Sequence, residues 1–153
     1  MTTVSQLLRK KGTGVVTIGP QATVFEALQL MADKNIGALV VKEADAIVGI
    51  FSERDYARKV ILEGRSSKET SVADLMTKNV FFVKSTRNME DCMVLMSAKH
   101  IRHLPVMDDG KTLTGIVTMR DVVKEIISDK ENTIRELETY ISGGYSMGGR
   151  GDL

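Results

Sequence analysis

The chain is poor in the residues that most directly declare a chemistry. One cysteine in 153 residues excludes an intrachain disulfide and fits a reducing interior. Two histidines beside it are too few for a zinc ligand set of the usual kind. No apolar run approaches the roughly 20 residues that a membrane helix needs. The start, Met1-Thr2-Thr3-Val4-Ser5-Gln6, lacks the charged opening and long apolar stretch of a secretory signal, so the expectation is a cytoplasmic protein with no membrane association. A net charge of +1 builds in no general pull toward nucleic acid. The basic clusters Arg9-Lys10-Lys11 and Arg65 to Lys68 have no interleaved aromatics and read as solvated ends. What is present is 42% hydrophobic and 27% charged residues, an ordinary globular balance with room for one domain or two small halves sharing a core.

One stretch occurs twice. Gly49-Ile50-Phe51-Ser52-Glu53-Arg54-Asp55 returns as Gly115-Ile116-Val117-Thr118-Met119-Arg120-Asp121, 66 positions on (115 − 49). Each copy reads as the end of a buried strand, a hydroxyl residue, a carboxylate three positions later, and then an apolar-periodic helix. A duplication therefore organises the chain.

The surrounding elements obey it. Val4 to Lys11 reads as a short amphipathic helix with Val4, Leu7 and Leu8 on one side, ended by Gly12 and Gly14. Val15 to Ile18 reads as a strand stopped by Gly19-Pro20. Thr23 and Glu26 have capping-box spacing, and the helix they open carries the stripe Val24, Ala27, Leu28, Met31 and Ala32. Ile36 to Val41 and Ile47 to Phe51 read as strands, and the helix after Ser52 is predicted to bury Tyr56, Ala57, Val60 and Ile61. The polar run Arg65 to Ser71 links the halves, and Val72 to Met76 echoes Val4 to Leu8. From Val80 the first half replays at an offset of 65 (80 − 15): Met96 answers Met31, Ile101 answers Ile36, and Val106 answers Val41. The second stripe is Met89, Cys92, Met93, Met96 and Ser97. One residue gained around Asp108-Asp109-Gly110 moves the later motif to 66, and Val122, Val123, Ile126 and Ile127 close the repeat. Thr133 and Glu136 form another capping box, predicted to open a separate helix with Ile134, Leu137 and Ile141 on one side. The tail from Gly143 is glycine-rich and buries too little to stay ordered at its end. Its Arg150-Gly151-Asp152 spells an adhesion tripeptide, a reading that the absence of a secretion signal disfavours.

Two readings compete at the motif turns. Ser52 with Asp55, and Thr118 with Asp121, have the spacing of helix caps, although Asp is shorter than the usual Glu or Gln. Alternatively, each helix start is a ligand site. Free N–H groups suit a phosphate, a carboxylate suits the paired hydroxyls of a ribose, and Arg54 or Arg120 adds positive charge. His103, beside Arg102 and before Pro105, is open between a structural and a ligand-contacting role. His100 reads as a solvent-facing helix end, Pro105 as a residue of a sheet edge or opening, and Cys92 as core packing. The methionines on the helix stripes read as adaptable core or an interface.

Two copies of strand, helix, strand, strand and helix, each ending Gly-apolar-apolar-(Ser/Thr)-x-x-Asp, resemble tandem cystathionine β-synthase (CBS) domains, together a Bateman module. The resemblance covers roughly residues 1–130 and is strengthened by Ile101-Arg102-His103-Leu104-Pro105-Val106 ahead of the second copy. It implies an α/β fold of two βαββα-type repeats with pseudo-two-fold symmetry plus a C-terminal helix. The division is residues 1–66 for repeat 1, 67–130 for repeat 2, and 131–153 for the final helix and tail. It also implies adenine nucleotides between the repeats. Asp121 with Thr118 would serve one cleft and Asp55 with Ser52 the other. Thr17, Ile18, Ile36, Gly37 and Ala38, and on the other side Val80 to Val83 with Ile101, would wall the adenine, while Arg102 and His103 would reach phosphates. The first repeat has Gly37 and Ala38 at those last two positions, so the clefts are expected to differ.

The expectation is a stand-alone, non-catalytic sensor that binds AMP, ADP, ATP or NAD(H), with S-adenosylmethionine the weaker candidate because Arg102 and His103 favour a phosphate. It would form a homodimer and regulate a separate protein. A ligand-free scaffold and an enzyme acting on a nucleotide are the rival readings. For the latter, Glu53 is the only general base the motif turn offers.

Overall fold

The computed structural model describes residues 1–145, so the readings made for the tail from Ser146 onward lie outside the described residues. In chain order the elements are α1 (Val4–Lys11), β1 (Thr17–Ile18), α2 (Val24–Lys34), β2 (Ala38–Glu43), β3 (Ala46–Ser52) and the single turn α3 (Glu53–Asp55), which runs into a π-helix (Tyr56–Ile61). Then come α4 (Val72–Leu75), α5 (Met89–Lys99), β4 (His103–Val106), β5 (Gly115–Thr118) and α6 (Met119–Tyr145). The fold is the expected α/β pair of repeats with a C-terminal helix. One sheet has the order β1-β2-β3, with β1 parallel and β3 antiparallel to β2; the other is the antiparallel pair β4-β5.

The strand predicted from Val80 to Val83 is reduced to one parallel bridge, Val83 with Val106. Pro105 supplies the reason. In the first repeat the Val40 amide donates to the Val16 carbonyl at 3.4 Å, which continues the β1–β2 ladder. Pro105 is the counterpart of Val40 (40 + 65) and has no N–H to offer Phe81, so the ladder stops after Val83.

Two buried clusters form the core, and they cross the sequence repeat. Leu39, Val41, Phe51 and Val60 of the first repeat pack with Val72 and Leu75 of α4. Leu104, Val106, Val117 and Val122 of the second pack with Val4, Leu7 and Leu8 of α1. Each short helix therefore closes the core of the half to which its neighbours in sequence do not belong. The packing thus exchanges α1 and α4 between the two repeats.

Local expectations were modified in several places. Thr23 caps α2 by accepting from the Glu26 amide, but only half of that box forms. Complete boxes occur at Thr3/Gln6 and at Asn88/Asp91. The helix stripes are narrower than predicted. Ala32, Met93 and Ser97 are exposed, as are Ala57, Ile61, Val123 and Ile127. A sheet two or three strands wide covers only a narrow stripe of each helix, so the outer apolar positions emerge. No separate helix begins at Thr133. Residues 128–132 contain neither Gly nor Pro, and Lys130 and Glu131 propagate helix well, so α6 continues and the Thr133 hydroxyl donates to the Asp129 carbonyl at 3.0 Å.

Candidate ligand-binding cleft between the two repeats

Each motif begins with a glycine because a helix passes over it. A Cβ on Gly49 would lie 2.6 Å from Met76 Sδ and 3.0 Å from the Thr77 carbonyl oxygen. One on Gly115 would lie 2.7 Å from Leu8 Cδ2. Met76 and Leu8 are themselves counterparts in the exchanged helices (76 − 8 = 72 − 4). The motif glycine therefore permits the crossed packing.

Three residues later the chain turns at Ser52. Its amide and hydroxyl each donate to Asp55 Oδ2 at 3.0 Å, and the Asp55 amide donates back to Ser52 Oγ at 3.2 Å. Asp closes this box fully, contrary to the expectation that its short side chain would close it less well. The other oxygen, Oδ1, forms an ion pair with Lys59 Nζ at 3.1 Å and accepts from Thr77 Oγ1 at 3.3 Å. At the second motif the Thr118 amide donates to Asp121 Oδ2 at 2.9 Å and the Asp121 amide to Thr118 Oγ1 at 3.2 Å. The capping reading is thus satisfied at both turns.

The surroundings of the two carboxylates differ. Asp55 faces a cavity of about 1050 Å³, at the upper end of the range for small-molecule sites. One wall is Ser52, Glu53, Arg54, Asp55 and Lys59; the opposite wall is Ile101, Arg102 and His103 from the other repeat. Val80 and Phe81 form its apolar side. Arg54, Arg58, Lys59 and Arg102 set four cations against the carboxylates of Glu53 and Asp55, an excess of two positive charges (4 − 2). Arg54 also ties the walls together, because its Nη1 donates to the His100 carbonyl at 3.0 Å. His103 is held below its ordinary pKa by burial first and by the charges of Lys11 and Arg102 next, with Asp121 opposing them. It is therefore a neutral imidazole at physiological pH.

Asp121 is occupied. Lys11, at the end of α1, donates to its Oδ2 at 2.6 Å and to the Ile116 carbonyl at 2.8 Å. Burial alone would raise the Asp121 carboxyl, but hydrogen bonds from Lys11 and Thr118 together with the Lys11 charge hold it below its usual range. Lys10 pairs with Glu125 at 3.0 Å, and the Thr2 amide and hydroxyl both reach Asp129 at 2.9 Å. Lys10 and Lys11 thus pair with α6 while remaining on the solvent-exposed helix end expected from the sequence.

Of the residues singled out from the sequence, Gly37, Ser52, Arg54, Asp55, Val80, Ile101, Arg102 and His103 line the large cavity. Ile36 and Gly37 line a second cavity of about 300 Å³. Thr17, Ile18, Ala38, Val83, Thr118, Arg120 and Asp121 line neither; Ala38 and Val83 are buried and Arg120 is exposed. Phe81, within the expected Val80 to Val83 wall, lines the cleft, whereas sequence reasoning missed Arg58, Lys59, Thr77 and Asn79 there, and it missed Lys11. Lys59 was accessible, since it stands four residues after Asp55 on the same helical segment. Lys11 arrives from the end of α1, and Thr77 and Asn79 from the segment that follows α4; none left a local sign. Among the described residues, no helix is long and apolar enough to cross a membrane, and no group of three or more His, Cys, Asp or Glu is placed to hold a metal ion.

Known proteins agree with this architecture. A family model described as CBS domain matches residues 4–62 and 72–128. The CBS domain-containing protein CBSX3, mitochondrial, of Arabidopsis thaliana is 38% identical over 153 residues, spanning 94% of this chain and 74% of that one. A putative signal-transduction protein with CBS domains from Burkholderia ambifaria is 46% identical with a TM-score of 0.80, covering 84% of this chain and 96% of that one. The CBS-domain pair of protein MJ0100, solved with 5′-methylthioadenosine and S-adenosyl-L-methionine, is 25% identical with a TM-score of 0.74 and covers 84% and 98%. Two matched segments, one per repeat, and a shared fold with these relatives place the chain in the CBS-domain family as a tandem CBS-domain protein.

Proposed function

We propose that this protein is a stand-alone, non-catalytic regulatory module that binds an adenine nucleotide in the Ser52/Asp55 cleft and signals its presence to a separate partner. The observation that carries this is the composite cleft. Ser52 and Asp55 of one repeat face Arg102 and His103 of the other across about 1050 Å³. Val80, Phe81 and Ile101 supply apolar walls for a base, Asp55 supplies a carboxylate for ribose hydroxyls, and the excess of cations suits phosphates. That excess favours AMP, ADP, ATP or NAD(H) over the cationic S-adenosylmethionine. A ligand held by both repeats shifts their relative arrangement only if it binds one arrangement better than the other. The exposed apolar residues Val94, Val123 and Ile127 support self-association as a homodimer, and the cytoplasm remains the expected compartment.

Calorimetric titration with AMP, ATP, NADH and S-adenosylmethionine tests the assignment, alongside Arg102→Ala, which leaves the Ser52 cap intact. Phosphate-bearing ligands are expected to bind, and Arg102→Ala to weaken them about tenfold, a loss of about 1.4 kcal/mol. Prolonged incubation with ATP is expected to yield no product. One observation favours the scaffold reading: both Asp55 oxygens already have partners within the protein. No heat from any of the four ligands, on protein freed of carried-over nucleotide, would leave that scaffold as the function.

A further inference from the structure

The duplication calls for a second cleft, and the structure shows what became of it. The 300 Å³ cavity is walled by Met31, Ala32, Asn35, Ile36 and Gly37. Each is the counterpart, 65 positions earlier, of a large-cleft residue: Met96, Ser97, His100, Ile101 and Arg102. The wall that should complete it is Ile116, Thr118 and Asp121, the counterparts of Ile50, Ser52 and Asp55. None of the three lines the cavity, and Lys11 holds the Ile116 carbonyl and the Asp121 carboxylate instead. The counterpart of Lys11 in sequence offset is Asn79 (79 − 11 = 72 − 4), in the segment after α4, a neutral residue that lines the open cleft.

We infer that Lys11 is an internal latch. Its ammonium bridges Asp121 Oδ2 and the Ile116 carbonyl, and neither residue lines the 300 Å³ cavity. Asp55, paired with Lys59 of its own helical segment, still lines the large one. The protein therefore offers one open site, and displacing Lys11 opens a second. This rests on the reading that the motif carboxylate is the sugar-holding group. The second site takes a nucleoside without phosphate, because Asn35 and Gly37 stand where His100 and Arg102 stand in the first. The Glu53 carboxylate also lines it, at the position that Met119 holds in the large cleft. The latch is anchored, since Lys10 and Thr2 fix α1 to Glu125 and Asp129 of α6. It is also releasable: Lys11 and Asp121 retain 28% and 20% of their side-chain exposure, and pairs in contact with water are weak.

The test counts adenosine sites by equilibrium dialysis on the full chain, comparing wild type with Lys11→Met, Lys11→Arg and the double variant Lys11→Met/Asp121→Asn. Lys11→Met keeps the apolar stem, and Lys11→Gln serves as a second opened variant should the first lose its fold. One site is expected in wild type, two in the opened variants, and one in both Lys11→Arg and the double variant. Two sites in wild type, or a natively folded opened variant with no more sites than wild type, overturns the latch. A wild type that binds no adenosine, AMP or ATP while Lys11→Met gains an Asp121-dependent site breaks the assignment of the large cleft and upholds the latch. No adenosine bound by either protein overturns the latch, and the large-cleft assignment falls with it only if AMP and ATP also fail to bind.

Discussion

The two motif turns have the same local geometry and opposite electrostatic neighbours. Four residues after Asp55 stands Lys59, which neutralises it from within the same helical segment. Four residues after Asp121 stands Glu125, so that turn takes its cations from elsewhere: Lys11 goes to Asp121 and Lys10 to Glu125. A Lys in one copy and a Glu in the other therefore decide whether the exchanged helix is drawn onto the carboxylate. The difference teaches that duplicated caps keep a fold in register, whereas the residue one turn further on changes which part of the chain supplies the cation to each turn.

The backbone shows a parallel contrast between Val40 and Pro105. Val40→Pro is expected to cost about 3 kcal/mol or more, because it removes the bond to Val16, leaves that carbonyl unpaired and strains β2. Pro105→Val should slow hydrogen exchange near Val83 with little change in stability. If urea denaturation shows Val40→Pro to be neutral, Pro105 does not explain the missing strand.

Next in size is a pH effect confined to the second repeat. Cys92 is fully buried where the first repeat has Ala27, and burial foremost, with the nearby Asp91 charge adding to it, pushes its thiol from 9.0 up to about 11. A folded-state value above the unfolded one contributes stability that is complete below pH 9.0 and lost as pH rises through about 11. The loss is up to about 3 kcal/mol, and unfolding measured across that window should show a slope that Cys92→Ala flattens. A slope of the same size in Cys92→Ala would assign it to other groups.

The motif glycines should also prove unequal. Gly49→Ala meets Met76 and the Thr77 backbone carbonyl, which cannot swing away, whereas the nearest atoms for Gly115→Ala all belong to the mobile Leu8 side chain. Overpacking of this kind costs about 1–3 kcal/mol, with Gly49→Ala at the upper end. Equal denaturation midpoints for the two variants would show that the backbone contact is not decisive.

The smallest expected effect concerns the second cap. Asp121→Ala loses the cap and the Lys11 pair, about 1 kcal/mol. Because its folded-state pKa is depressed, that contribution is present above the unfolded value of 3.8 and disappears as pH falls through the lower folded one. Thermal unfolding of variant and wild type should therefore converge in acid. A gap that persists at the lowest accessible pH would assign the loss to something other than the carboxylate charge.

The sequence by itself determined whatever repeats at short range. Period-two and helical patterns marked β2, β3, α2 and α5 and the glycine spacing marked the motif, because each is written within a dozen residues, and the offset of 65 aligned the halves because the duplication copies those short patterns. Half of the candidate site followed, since Ser52, Asp55, Arg102 and His103 belong to those segments. Tertiary structure alone decided the exchange of α1 and α4, the arrival of Thr77 and Asn79 beside Asp55, and the capture of Asp121 by Lys11. The Lys11–Asp121 contact joins residues 110 apart in sequence. At that separation a lysine at the end of a short helix carries no periodic or spacing signal, and only folding reveals whether it meets water or a carboxylate.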